Sequence, residues 1–147
     1  MIRNFINDLN ELLPQKVIEC IEAEKNKLFL KPKCVNIHNG IVESIRVLSQ
    51  KYGYYWEKEY EVLDYIENKR GKIDLVLFNS NYKIAIEVDS SPRKKSIQKI
   101  MMDEFNYKIW ICCGDRERFK QELINLNAQD DVFLIEVPSY RNELRYL

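Results

Sequence analysis

Three carboxylates stand inside two runs of residues that otherwise favour burial, and this feature limits most what the chain can become. The segment reads Gly71-Lys-Ile-Asp-Leu-Val-Leu-Phe-Asn-Ser-Asn-Tyr-Lys-Ile-Ala-Ile-Glu-Val-Asp89. Ile73 to Phe78 and Tyr82 to Asp89 have strand composition, and Asn79, Ser80 and Asn81 between them are turn residues. A strand covered on both faces reads as a near-continuous apolar run, so Asp74, Glu87 and Asp89 lie where an unpaired charge is costly. If the chain turns at Ser80–Asn81, Asp74 comes opposite Glu87 and Lys72 opposite Asp89, all on one face. A four-residue loop centred on the same point keeps that pairing, whereas an odd loop moves one pair of charges to the other face. Two carboxylates placed opposite each other repel unless a cation lies between them. Such hard oxygen donors suit Mg2+ or Mn2+, which keeps several waters, accepts a phosphate oxygen and makes a bound water nucleophilic. The expected chemistry is metal-assisted phosphodiester hydrolysis. Lys72 is the first candidate to orient the water or to stabilise charge developing in the transition state.

The rest of the chain supplies an α/β frame around this hairpin. Apolar residues from Ile2 to about Leu30 recur at helical spacing, and Pro14 predicts a division into two short helices. Asn36-Ile-His-Asn-Gly40 has turn chemistry, and an amphipathic helix is predicted over 41–53, stopped by Gly53. Tyr54 to Val62 reads as a strand. Ser91-Pro92 opens a basic helix reaching about Phe105, Tyr107 to Cys113 is a strand, Arg116 to Leu126 a helix and Val132 to Val137 a last strand. The order is helices followed by αβββαβαβ, which predicts a mixed central sheet flanked by helices. At 147 residues the chain suits one domain. Residues 1–33 form a helical extension and 40–139 the core.

This order of residues resembles the PD-(D/E)xK nuclease superfamily, also called restriction-endonuclease-like. That family has an αβββαβ core, an Asp on the second strand, Glu-x-Lys on the third and often a Glu on the first helix. The likeness covers about Gly40 to Gly114: Glu43 matches the helix carboxylate, Asp74 the strand Asp, and Glu87-Val-Asp89 the Glu-x-Lys position. Asp89 stands where the family usually has lysine. The resemblance implies that Lys72, or Lys94 or Lys95 of the following helix, supplies the missing ammonium. It implies metal held by Asp74, Glu87 and Glu43, and catalysis by those residues with Asp89 and Lys72. It places Gln98 like a glutamine that several members use near the site. By analogy with the family the substrate is nucleic acid, DNA favoured, and the activity that of a Mg2+-dependent endonuclease.

The remaining signals are less specific. Arg93, Lys94, Lys95 and Lys99 cluster at the start of the basic helix, where they could hold a phosphate backbone without reading bases; a solvated helix face explains them equally well. Lys plus Arg and Asp plus Glu both number 23, so there is no global attraction to nucleic acid and any such surface is local. Tyr52, Tyr54, Tyr55, Trp56 and Tyr60 could stack on unpaired bases, although strand aromatics more often pack in a core. His38 is placed in a loop, where it could serve as a general base or metal ligand, although a surface or capping residue is the better reading. Cys20, Cys34, Cys112 and Cys113 lack a C-x-x-C pair and read as reduced thiols of a cytoplasmic protein. The N-terminus has no signal-peptide core, and no apolar run is long enough to span a membrane. The helical stripes of the extension permit packing on the sheet, a homodimer interface or contact with nucleic acid. Two alternatives to a nuclease stand beside it: a binding module on the same scaffold that has lost cleavage, and a protein-interaction domain with an acidic face.

Overall fold

The computed structural model describes residues 2–27 and 30–141. The elements follow as α1 (Ile2–Lys25), α2 (Cys34–Gln50), β1 (Tyr55–Leu63), β2 (Arg70–Phe78), β3 (Lys83–Asp89), α3 (Lys94–Ile100), β4 (Tyr107–Cys113), α4 (Arg116–Asn125) and β5 (Val132–Val137). The five strands form one sheet in the order β1-β2-β3-β4-β5. β1, β2 and β3 are antiparallel neighbours, while β3–β4 and β4–β5 are parallel. Parallel neighbours cannot be joined by a tight turn, and α3 and α4 make the two crossovers. The expected α/β fold with a mixed sheet and flanking helices is therefore present.

Two cores sandwich the sheet. One joins Phe5, Leu9, Leu13 and Val17 of α1 and Ile37, Ile41 and Ile45 of α2 to Leu75, Ile84, Ile86, Ile109 and Ile135. The other joins Ile97 and Ile100 of α3, Phe105, and Phe119 and Leu123 of α4 to Val76, Ala85, Trp110 and Cys112. Both faces of β3 and β4 are covered, which explains their near-continuous apolar sequence.

Three predicted helix boundaries are corrected. The division at Pro14 does not occur, and α1 runs through it as one helix. An interior proline costs a helix about 3 kcal/mol. Burial of Phe5, Ile6, Leu9, Leu13, Val17 and Ile21 along one stripe, at about 1.5–3 kcal/mol per side chain, outweighs that cost. The helix predicted over 41–53 begins at Cys34 and ends at Gln50, so Asn36 to Gly40 is helical and His38 is not in a loop. Ile37, Ile41 and Ile45 are all buried at i, i+4 spacing, and that stripe overrides the turn preference of asparagine and glycine. Gly40 suits the crossing with α1, because a Cβ there would meet the Cys20 Sγ at 2.9 Å. The basic helix α3 is short, covering Lys94–Ile100 only.

Glu24 explains how α2 can start without a side-chain cap of its own. Its Oε1 accepts from the backbone N–H of Lys33 at 2.8 Å and from the Asn36 carboxamide at 3.0 Å. The Lys27 ammonium lies 2.8 Å from its Oε2. The carboxylate thus satisfies an orphan donor at the head of α2 and ties the two helices together.

Candidate functional site

β2 and β3 are paired from Phe78↔Lys83 to Leu75↔Ile86, and the ladder stops there. The four-residue connection 79–82 gives the register in which Asp74 and Glu87 are the next pair. Their side chains replace the missing main-chain bonds. The Asp74 N–H donates to Glu87 Oε1 at 2.9 Å, and the Val88 N–H donates to Asp74 Oδ2 at 2.8 Å. β3 stays bound to β4 as far as Asp89↔Cys112, so β2 leaves while β3 continues. The carboxylates stand at the mouth of the opening this creates.

β2 also rotates at this level. Ile73 and Leu75, two residues apart, would share a face in a regular strand, yet Ile73 joins the α3–α4 core and Leu75 the α1–α2 core. In β1 the Cα pairing with β2 skips Glu59 and Asp74, and Glu59 has φ 54°, in the left-handed region. Asp74 therefore sits on the pivot, with access to both layers of helices.

From the α2 side, His38 Nε2 lies 3.3 Å from Asp74 Oδ2. The hydrogen bond to Asp74 raises the His38 pKa to about 9, although burial opposes it. From the other side, the Lys99 ammonium lies 3.4 Å from Glu87 Oε2 and donates to the Lys72 carbonyl oxygen at 2.6 Å. Glu87 is only 3% exposed. Burial, with Asp74 close by, pushes its carboxyl up to about 8, and Lys99 partly opposes the rise.

Asp89 lines the same cleft and has partners of its own. Its Oδ2 accepts from the indole N–H of Trp110 at 2.7 Å, and the Ser96 hydroxyl also bonds to it. Burial raises its pKa, while these two bonds oppose the rise. Asp89 thus links β3 to β4 and to the first turn of α3, the helix that carries Lys99.

Other expected residues are dispersed. Glu43 bonds to Arg46 and Lys58, away from Asp74 and Glu87. These two cations hold its pKa down at about 2. The Lys72 side chain is exposed, and only its carbonyl takes part, as the acceptor for Lys99. Arg93, Lys94 and Lys95 are exposed, whereas Lys99 turns inward and its side chain is 15% accessible. A cleft of about 350 Å3 collects Asp74, Glu87, Asp89, Arg93, Lys95 and Lys99 among its lining residues. Gln98 is half-buried and does not line it. Cys112 and Cys113 are buried free thiols.

Asp74 and Glu87 face the cleft together, each with one oxygen accepting a main-chain N–H of the other's strand. Among the described residues, no group of three or more His, Cys, Asp and Glu side chains is arranged to hold a metal ion. Two carboxylate groups still fit magnesium, which commonly takes one or two carboxylates and completes its shell with water and substrate phosphate. Burial and the nearby Asp74 disfavour the ionised form of Glu87, and such a cation would favour it. Among the described residues no helix is long and apolar enough to cross a membrane.

Comparison with known proteins yields no matching family model and no significant match among curated proteins.

Proposed function

We propose that this chain is a metal-dependent nuclease that hydrolyses phosphodiester bonds, with DNA the favoured substrate, and that it is a divergent member of the PD-(D/E)xK superfamily. One observation carries the reading: β2 and β3 part where they do because Asp74 and Glu87 hold each other's strand, and Lys99 reaches the same point from α3. Mg2+ or Mn2+ held by Asp74 and Glu87 would make a water nucleophilic and bind a phosphoryl oxygen.

The chain's own residues have separable tasks. Lys99 supplies the ammonium that Asp89 does not, close enough to Glu87 to orient the attacking water and to stabilise charge on phosphorus-bound oxygen. His38, within hydrogen-bond distance of Asp74 Oδ2 from the α2 side, orients that carboxylate. In hydrolysis the water oxygen bonds to phosphorus, the bond to the leaving oxygen breaks, and that oxygen takes up a proton. Arg93 and Lys95 at the rim hold the flanking phosphates. Asp89 is a positioning residue that keeps α3, and so Lys99, against the sheet.

The test is cleavage of plasmid, single-stranded and branched DNA with Mg2+ or Mn2+, comparing the wild type with Asp74→Ala and Glu87→Ala. Cutting that needs metal and disappears in both variants supports the proposal. Binding without cutting would favour a module that has lost cleavage. The absence of both would favour the protein-interaction reading.

A further inference from the structure

A second cavity, of about 300 Å3, lies against the other side of the Asp74–His38 pair. It is lined by His38, Asn39, Val42, Lys58, Glu59 and Asp74. His38 and Asp74 thus line both this cavity and the cleft. The second cavity lies beside the kink in β1, where Glu59 adopts a left-handed backbone; Tyr54, just before the strand, joins the first core, and Val62 within it joins the second. A non-glycine residue in that conformation costs about 1 kcal/mol or more, and backbone strain of this kind clusters at functional sites.

The walls have mixed chemistry. Val42 is apolar and buried. Asn39 is exposed and presents an amide with both a donor and an acceptor. Lys58 reaches the cavity, and its ammonium is 5.7 Å from the centroid of the Trp56 ring. The Arg46 guanidinium lies 4.9 Å from the same ring. Trp56 is 44% exposed on a strand otherwise rich in charge. Arg46 and Lys58 share the carboxylate of Glu43, and Glu59 and Asp74 also line the cavity, so positive charge is local to the Lys58 and Arg46 side rather than in surplus.

An apolar wall, an amide that can read a polar ring edge, a lysine on the wall and an exposed indole beside that lysine together describe the needs of a nucleotide. A base in a duplex is stacked on both faces and paired along its edge, so only an unpaired base can enter a cavity of this size. We propose that this cavity is a nucleotide subsite that takes an unpaired base adjoining the phosphodiester held at Asp74, making single-stranded or unpaired nucleic acid the preferred substrate. This rests on the nuclease reading. Asn39 contacts the base edge, Trp56 offers a stacking surface, and Lys58 and Arg46 meet the adjoining phosphate. Glu43 holds those two cations in place, as a positioning residue of the subsite rather than of the hydrolytic centre.

The two tryptophans make the test direct. Trp110 is fully buried and Trp56 is exposed, so quenching of indole emission by an oligonucleotide reports on Trp56. The full chain is titrated, without metal, with a single-stranded oligonucleotide and with its duplex, using wild type, Trp56→Leu and Asn39→Ala. Cleavage of the same two substrates is measured with Mg2+, and circular dichroism checks the fold. The expected result is saturable quenching by the single strand, much weaker quenching by the duplex, and faster cutting of the single strand. Trp56→Leu should weaken single-strand binding, followed by a label on the oligonucleotide, about 5- to 150-fold, the effect of losing one aromatic stacking partner. Asn39→Ala, an exposed change, should narrow the preference for the single strand while leaving the fold intact. Equal binding and cutting of both forms, or a preference unchanged in both variants, overturns the subsite while metal-dependent cutting still upholds the nuclease. A wild type that neither binds nor cuts any nucleic acid overturns both.

Discussion

Replacing Trp110 by phenylalanine tests whether Asp89 is a structural link. Trp110 is fully buried, and its indole N–H donates to the Asp89 carboxylate at 2.7 Å. Its ring packs edge-on against Phe119 at 4.8 Å between centroids. The phenyl ring occupies about 40 Å3 less, which at about 24 cal/mol per Å3 costs about 1 kcal/mol. Loss of the only indole donor to a buried carboxyl adds about 1–3 kcal/mol. The expected destabilisation is therefore about 2–4 kcal/mol, or about 1–2 M in urea midpoint for a slope near 2 kcal/mol/M. The assay is urea unfolding followed by far-ultraviolet circular dichroism, because the substitution removes one of the fluorophores. Completing the cycle with Asp89→Ala and the double variant isolates the bond, whose coupling should be about 1–3 kcal/mol. A total loss below about 1 kcal/mol, or a coupling indistinguishable from zero, would refute the assignment. Asp89 would then be free to serve the cleft.

Three further outcomes follow from the same geometry. Lys99→Met should reduce cleavage by at least about 100-fold, the usual scale for losing one preorganised donor to a transition state, while Lys72→Met changes it little; the reverse order would show that the wrong lysine has been assigned. Glu24 has its pKa lowered from 4.5 to about 2, chiefly by Lys27 and the Lys33 N–H, with burial opposing. It therefore stabilises the fold fully above pH 4.5, and that contribution fades as pH falls toward 2. The Tm deficit of Glu24→Gln should be constant at neutral pH and shrink through this window, and a deficit independent of pH would contradict the ion-pair account. Gly40→Ala should gain about 1 kcal/mol of helix propensity in a Cys20→Ala background, but not in the wild type, where the new methyl meets the Cys20 Sγ; thermal unfolding of the four proteins shows whether the gain depends on residue 20.

Parts of the site could be read from the chain because they depend on short-range rules. Alternation within a strand and a turn centred on Ser80–Asn81 suffice to bring Asp74 and Glu87 together, and the ladder from Phe78↔Lys83 to Leu75↔Ile86 has that register. The strands of the sheet were legible for the same reason, since β-branched and aromatic runs are bounded by turn residues. His38 was given a loop position because Asn36, Asn39 and Gly40 signal a turn. The contrary signal was present in Ile37, Ile41 and Ile45, whose spacing continues the helix back past His38.

What the sequence determined by itself was the α/β frame, the register of the central hairpin and the presence of charge at its open end. Those depend on periodicity and on residues fewer than about 20 apart. Only the tertiary structure decided which charges meet. Lys99 rather than Lys72 reaches Glu87, because the pose of α3 on the sheet determines where a long side chain ends. Asp89 turns to Trp110, 21 residues away on the neighbouring strand. Glu43 is held by Arg46 and Lys58 rather than by the hairpin carboxylates. A helix's rotation and depth against a sheet are determined by the shapes of both cores packed together, and no local pattern of residues encodes that.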